Sequence, residues 1–98
     1  VTLCHSHTQN LDQITSQADI LISAIGKPKF FDRKFIKNNA VVIDVGYAID
    51  PNSGKVTGDF NFDDIKDIAG FITPVPGGIG PMTVASLLFN TVQIAKNQ

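Results

Sequence analysis

Only one cysteine, Cys4, stands among 98 residues. A lone thiol excludes a disulfide framework and a thiolate metal site, so Cys4, closing an apolar segment, reads as a small buried hydrophobe. Charge of one sign is also scarce: eight basic and nine acidic side chains leave a formal net charge of −1. A nucleic-acid partner, which needs a strongly basic face, is therefore not expected. No apolar run approaches the ~20 residues of a membrane span, so no membrane partner is expected either. No Gly-x-Gly-x-x-Gly follows an apolar run, and the common pyrophosphate fingerprint is missing. Either another loop serves that purpose or the loop precedes Val1. The chain opens without methionine, with Val1 in what reads as mid-strand, and is expected to be a piece of a longer polypeptide.

What is present is an ordinary globular composition, 43% hydrophobic and 17% charged, enough for one domain. Four apolar runs read as strands: Val1 to Cys4, Asp19 to Ile25, Ala40 to Val45 and Gly70 to Val75. Ile20-Leu21-Ile22 and Val41-Val42-Ile43 are continuously apolar, the pattern of parallel strands covered on both faces, so helices are expected on both sides. Asn10 is placed to cap a helix from Leu11 to about Gln17, with Gln13 completing a capping-box-like pair and Leu11, Ile14 and Ala18 facing inward. Asp32 is placed to cap a short helix through Phe35 and Ile36. Asp50-Pro51-Asn52-Ser53-Gly54 is a concentrated turn signal, after which Lys55-Val56-Thr57 returns as a short β-piece. Phe62 to Asp67 is read as one helical turn with Asp63 and Asp64 at its start. From Met82 to Lys96, Ala85, Leu88, Val92 and Ala95 recur at helical spacing and predict a face packed on the sheet. Strands alternating with helices give an α/β fold: a Rossmann-like parallel sheet with helices on both faces, missing its first βα unit.

The stretch Thr73-Pro74-Val75-Pro76-Gly77-Gly78-Ile79-Gly80-Pro81-Met82-Thr83 joins an apolar run to a helix through a turn with little side chain. Its glycines permit close backbone approach, and Pro81 suits the first helical turn. The free N–H groups at that helix start offer a seat for a carbonyl, carboxylate or phosphate oxygen; the alternative is a tight turn with glycine for steric reasons alone. In a doubly wound sheet, ligands lie beyond the carboxyl ends of the strands, so Cys4 to Thr8, Ala24 to Pro28, Val45 to Ala48 and Pro74 to Thr83 are expected to converge. His5-Ser6-His7-Thr8 offers imidazoles and hydroxyls and no carboxylate, which fits the 2′-phosphate of NADP better than the ribose hydroxyls of NAD. A polar, helix-capping loop is the other reading of that cluster. His5 and His7 lack further ligands at suitable spacing, so no metal is expected. Asp44, inside a buried strand without an acid/base partner, reads first as a polar anchor.

Ile72-Thr73-Pro74-Val75-Pro76-Gly77-Gly78-Ile79-Gly80-Pro81-Met82-Thr83 resembles a signature of the bifunctional methylenetetrahydrofolate dehydrogenase/methenyltetrahydrofolate cyclohydrolase family. Thr2 to Thr8 through Asn10-Leu11, Ala18-Asp19-Ile20, Gly26-Lys27-Pro28, Val42 to Gly46 and Gly58-Asp59 match the same family in the same order. The resemblance implies that residues 1–98 are most of its second, NAD(P)-binding domain, the amino-terminal catalytic domain being absent from this chain. It implies oxidation of 5,10-methylenetetrahydrofolate with NADP, in preference to NAD, and hydrolysis of the methenyl product to 10-formyltetrahydrofolate. By resemblance His5 and Ser6 meet the adenosine ribose and its 2′-phosphate, Ile25, Gly26, Gly46 and Tyr47 line the nucleotide groove, and Thr83 lies near the nicotinamide. Pro76, Gly77, Gly78, Ile79, Gly80 and Pro81 form the wall touching folate and cofactor. The family usually has Ile-Asn where Tyr47-Ala48 stand, a change that a backbone contact survives. Its catalytic lysine and pterin-stacking tyrosine belong to the first domain, so no catalytic residue is expected here and the chain alone is expected to be inactive. The implied partners are tetrahydrofolate derivatives, the first domain of the same polypeptide and a second copy in a homodimer, in the cytoplasm. The alternative is a non-catalytic nucleotide-binding or dimerisation module of the same fold. Replacing Gly78 with valine is expected to damage ligand binding more than folding.

Overall fold

The computed structural model describes all 98 residues. A three-stranded parallel sheet organises them, with β1 (Ile20–Ser23), β2 (Val41–Asp44) and β5 (Phe71–Ile72) in the order β1-β2-β5. Leu21 pairs with Val42 and Val42 with Ile72, so these three share one face. On that face sits the core, built from Phe31, Phe35, Ile36, Ala40, Val42, Phe60 and Ile65, with Leu11, Leu21 and Ile72 packed against it. The phenylalanines carry most of its area: Phe31 stacks on Phe60 with ring centroids 5.0 Å apart and meets Phe35 edge-on at 5.0 Å.

Three short helical pieces cover this face. Helix α1 (Leu11–Thr15) buries Thr15. The 3-10 turn Arg33–Phe35 is started by Asp32, whose side chain accepts from the Lys34 N–H, as its sequence position predicts. Helix α2 (Phe62–Ile65) is the single turn expected there and inserts Ile65 into the core. The strands β3 (Ala48–Ile49) and β4 (Val56–Thr57) form the antiparallel hairpin that the turn signal announced. Asp50 closes it by accepting from the Asn52 N–H at 2.9 Å and pairing with Lys29 at 3.2 Å, and these contacts hold its carboxyl below the usual range.

Four expectations need correction. Val1 to Cys4 is not a strand: Val1 and Leu3 are exposed, and a four-residue run without a partner ladder has nothing to hold it extended. Asn10 stands before α1 in the left-handed region, at φ 55°, so its side chain makes no cap; no capping box forms. The helices that build the core lie on one face of the sheet; on the other, Ile20 and Phe71 are 61% and 75% exposed. Helix α3 (Ile79–Lys96) buries none of its residues, and Leu88 and Val92 of the expected sheet-facing stripe are 64% and 51% exposed. Met82, Val84, Leu87, Phe89 and Ile94 lie off that stripe, so the helix is apolar on several sides and its spacing does not single out a sheet-facing one. No helix is long and apolar enough to cross a membrane.

Candidate functional site

Parallel pairing brings the carboxyl ends of β1, β2 and β5 to one edge of the sheet, and two buried aspartates tie those ends together. Asp44 closes β2. Its backbone N–H donates to the Thr73 hydroxyl, 2.9 Å away beyond the end of β5. Its carboxylate accepts from the N–H groups of Gly46, Asp59 and Phe60 at 2.9, 3.0 and 3.1 Å. Asp59 is brought to the same edge by a parallel bridge between Phe31 and Phe60, with the Phe31 N–H donating to the Asp59 carbonyl at 2.9 Å. The Asp59 carboxylate then accepts from the Ser23 hydroxyl and the Ile25 N–H, both at 2.8 Å, and from the Lys27 N–H at 3.1 Å.

The two carboxylates are interlocked through two glycines. A Cβ on Gly46 would fall inside the Asp59 carboxylate, and one on Gly58 inside that of Asp44. Neither aspartate belongs to an ion pair, and no buried side-chain nitrogen or oxygen lacks a hydrogen-bond partner. Backbone dipoles replace the lost water, which is how buried carboxylates are accommodated without cations. Burial pushes the Asp44 carboxyl above its ordinary value; the three N–H donors oppose that shift and the neighbouring Asp59 charge adds to it. The anchoring role expected for Asp44 is the one its contacts describe.

Around this latch lie the residues that the sequence singled out. Ile25 and Gly26 follow β1, exposed, with Gly26 at φ 72° and no atom within 4 Å of where its side chain would start. Gly46 is buried beneath the tip of β2, and Tyr47 after it is exposed. Pro76, Gly77, Gly80 and Pro81 are exposed and Gly78 and Ile79 half-buried, so the rim before α3 is not sealed by side chains. Gly77 takes φ 97° at the tip of that turn. No side chain caps α3, and Pro81 lies in its first turn. Thr83 is exposed, its hydroxyl donating to the Ile79 carbonyl at 3.0 Å.

Two expectations fare differently. His5 and Ser6 sit in an exposed turn whose hydrogen bonds are internal, His5 N–H to the Thr8 hydroxyl and His7 N–H to His5 Nδ1, so no bond ties this segment to the strand tips. Gly78 is packed against its own loop: a Cβ there would meet the Pro74 carbonyl and approach Thr73 Cβ to 3.2 Å. Valine at that position therefore disturbs the turn itself, so a cost to folding accompanies the damage to ligand binding that was expected to exceed it. Beside the loop, Thr73, Pro74 and Val75 form one wall of a cleft of about 260 Å³ whose other walls include Lys29, Asp44 and Asn61. The role of Asp59 was not legible from the residues themselves, although the spacing Asp44-Val45-Gly46 and Gly58-Asp59, two Asp/Gly pairs, was its available signal.

The family model described as "Tetrahydrofolate dehydrogenase/cyclohydrolase, NAD(P)-binding domain" matches residues 1–98. The bifunctional protein FolD of Anoxybacillus flavithermus is 56% identical over 98 residues, 100% of this chain and 34% of that protein. That of Thermodesulfovibrio yellowstonii is 57% identical over the same span and share. Among solved structures, bifunctional FolD from Campylobacter jejuni aligns with a TM-score of 0.91 at 44% identity, covering 98% of this chain and 34% of that one. The methylenetetrahydrofolate dehydrogenase-cyclohydrolase of Trypanosoma brucei, complexed with NADP cofactor and inhibitor, aligns at 0.86 and 42% identity over 98% of this chain and 35% of its own. The chain spans about a third of the length of the curated relatives it matches. By its whole-length match to that model and its superposition on these folds, this chain belongs to the tetrahydrofolate dehydrogenase/cyclohydrolase family and corresponds to its NAD(P)-binding domain.

Proposed function

We propose that this chain is the cofactor-seating and substrate-positioning domain of an enzyme that oxidises 5,10-methylenetetrahydrofolate with NADP and hydrolyses 5,10-methenyltetrahydrofolate to 10-formyltetrahydrofolate. The observation that carries the proposal is the convergence at one sheet edge of the segments that follow β1, β2 and β5: Ile25-Gly26, Gly46-Tyr47 and the turn before α3. A dinucleotide fits this edge because main chain reaches it without an intervening side chain at Gly26, and because the first N–H groups of α3 carry no side-chain cap. NADP, when bound, supplies the hydride acceptor. Ser6 and His5 present donors suited to a 2′-phosphate, and their exposed turn leaves them free to meet one. Thr83, one turn into α3, borders the nicotinamide, and Pro76 to Pro81 form the wall against which folate and cofactor are held face to face. No residue here is assigned a bond-making role; the contribution is orientation, which converts two bound reactants into one encounter of fixed geometry.

In this reading residues 1–98 are part of the second domain of a cytoplasmic homodimer whose first domain carries the catalytic side chains. The apolar surface exposed along α3, including Leu87, Leu88 and Phe89, supports contact with further protein. The test is calorimetric titration of the natural polypeptide carrying this chain with NADP and NAD, followed by turnover assays with both folates. Binding with NADP preferred and turnover of both folates supports the proposal. Binding without turnover favours a non-catalytic nucleotide module, and binding of neither dinucleotide overturns the reading.

A further inference from the structure

Asp59 is fully buried and unpaired with any cation, yet its carboxylate joins parts of the chain that lie more than thirty residues apart in sequence. An ionised group in such a place is costly, and nonpolar replacements of buried charges are often as stable. Its partners indicate what it does. The N–H groups of Ile25 and Lys27 flank Gly26 on both sides, and both are held by this one carboxylate. Residues 24–30 are otherwise exposed, and Gly26 stands at φ 72° with open space around it. The same carboxylate lies against Gly46, where any side chain would displace it. Asp59 thus touches the loop after β1 and the tip of β2 at once, and through its own N–H it is fixed to Asp44, which holds Thr73 before the proline-glycine turn.

We infer that Asp59 is a positioning residue for the dinucleotide: its carboxylate sets the Ile25-Gly26 backbone at a fixed distance from Gly46, so that the groove between two strand tips exists before the cofactor arrives. The inference rests on the proposed cofactor reading. Preorganisation of this kind raises affinity by removing the cost of ordering a loop on binding. Because a backbone N–H donates to each carboxylate oxygen, an acceptor is needed at both; asparagine turns one of them into a donor facing the Ile25 or Lys27 N–H.

The experiment is Asp59→Asn in the natural polypeptide carrying this chain, read by amide hydrogen exchange and by calorimetry with NADP. Exchange at Ile25 and Lys27 is expected to quicken at least about tenfold, while Val45, bonded to the Ser23 carbonyl within the sheet, keeps its wild-type rate. The Kd for NADP is expected to rise about ten- to hundredfold, as for loss of one hydrogen bond to a charged group, and saturating NADP should restore slow exchange at Ile25 and Lys27. An unchanged Kd, or unchanged exchange at both amides, overturns the inference. Should Asp59→Asn loosen the sheet as well, Ser23→Ala is the milder variant: a small rise in Kd with faster exchange at Ile25 supports the inference, and no change in either overturns it. Failure of the unsubstituted protein to bind NADP is a different result, visible before any variant is made; it overturns the cofactor reading and this inference with it.

Discussion

Adding one methyl group at Gly46 tests the interlock of the two aspartates. A Cβ built there lies 2.6 Å from Asp59 Oδ2 and closer still to Oδ1 and Cγ, inside the approach that carbon and oxygen tolerate. Asp59 has no free direction in which to retreat: it is fully buried, and its oxygens are held by Ser23, Ile25 and Lys27. Overpacking alone costs about 1–3 kcal/mol. Displacing the carboxylate also loses at least one hydrogen bond to a charged acceptor, about 1.5–3 kcal/mol. Gly46→Ala is therefore expected to cost about 2.5–6 kcal/mol. Gly26→Ala is the control, since its added Cβ meets open space and only the φ of 72° opposes it, a penalty of about 1–2 kcal/mol. Urea unfolding at matched m-values measures both. A double-mutant cycle identifies the cause: in an Asp59→Ala background the methyl group has room, so the two substitutions should be coupled by about 2 kcal/mol or more. A Gly46→Ala cost no larger than that of Gly26→Ala, or simple additivity with Asp59→Ala, refutes the reasoning.

Other expectations follow from the same contacts. Phe60→Ala removes a ring that is 2% exposed and stacked on Phe31; a loss of about 3–5 kcal/mol in chemical unfolding is expected, and a loss below about 1 kcal/mol contradicts the core assignment. Gly78→Val should lower the unfolding midpoint and quicken proteolysis in the Thr73–Gly78 turn, because its Cβ meets the Pro74 carbonyl; a native midpoint with weakened cofactor binding alone would reverse that account. The Asp44 carboxyl, raised by burial, should titrate by ¹³C NMR above its ordinary 3.8. Between 3.8 and that raised value the native state holds more proton than the unfolded one, so this group's contribution to stability falls as pH rises through the window. A midpoint at or below 3.8 contradicts the sign. Ser6→Asp sets a carboxylate beside the proposed 2′-phosphate seat and should lower NADP affinity about tenfold or more relative to NAD; an unaltered preference removes Ser6 from the site.

Much of the sheet was legible because its signals were local. Ile20-Leu21-Ile22 and Val41-Val42-Ile43 are apolar at every position, and their shortness and β-branched residues favour a strand over a buried helix. The Asp32 cap and the Asp50 turn were readable for the same reason, each being a side chain that bonds backbone two residues onward. The failures concern partners. Val1 to Cys4 has strand composition without a neighbouring ladder, and α3 has a helical stripe without a surface beneath it. Composition describes what an element can bury, whereas burial depends on what stands opposite. The site divides in the same way. Gly26, Gly46 and the proline-glycine turn could be named from their glycines, but the carboxylate that organises them comes from Asp59, far along the chain, and nothing local marks it as the partner of Ile25.

The central claim is that the tips of β1 and β2 and the turn before α3 form one seat for NADP. Backbone amide shifts of the natural polypeptide, followed during titration with NADP, test it most directly. The account predicts that Gly26, Gly46, Tyr47 and Thr83 move together, with one shared saturation curve, while core amides such as that of Phe31 stay in place. Saturable binding whose shifts fall elsewhere, or a titration that leaves Gly26 and Gly46 unmoved, would contradict it.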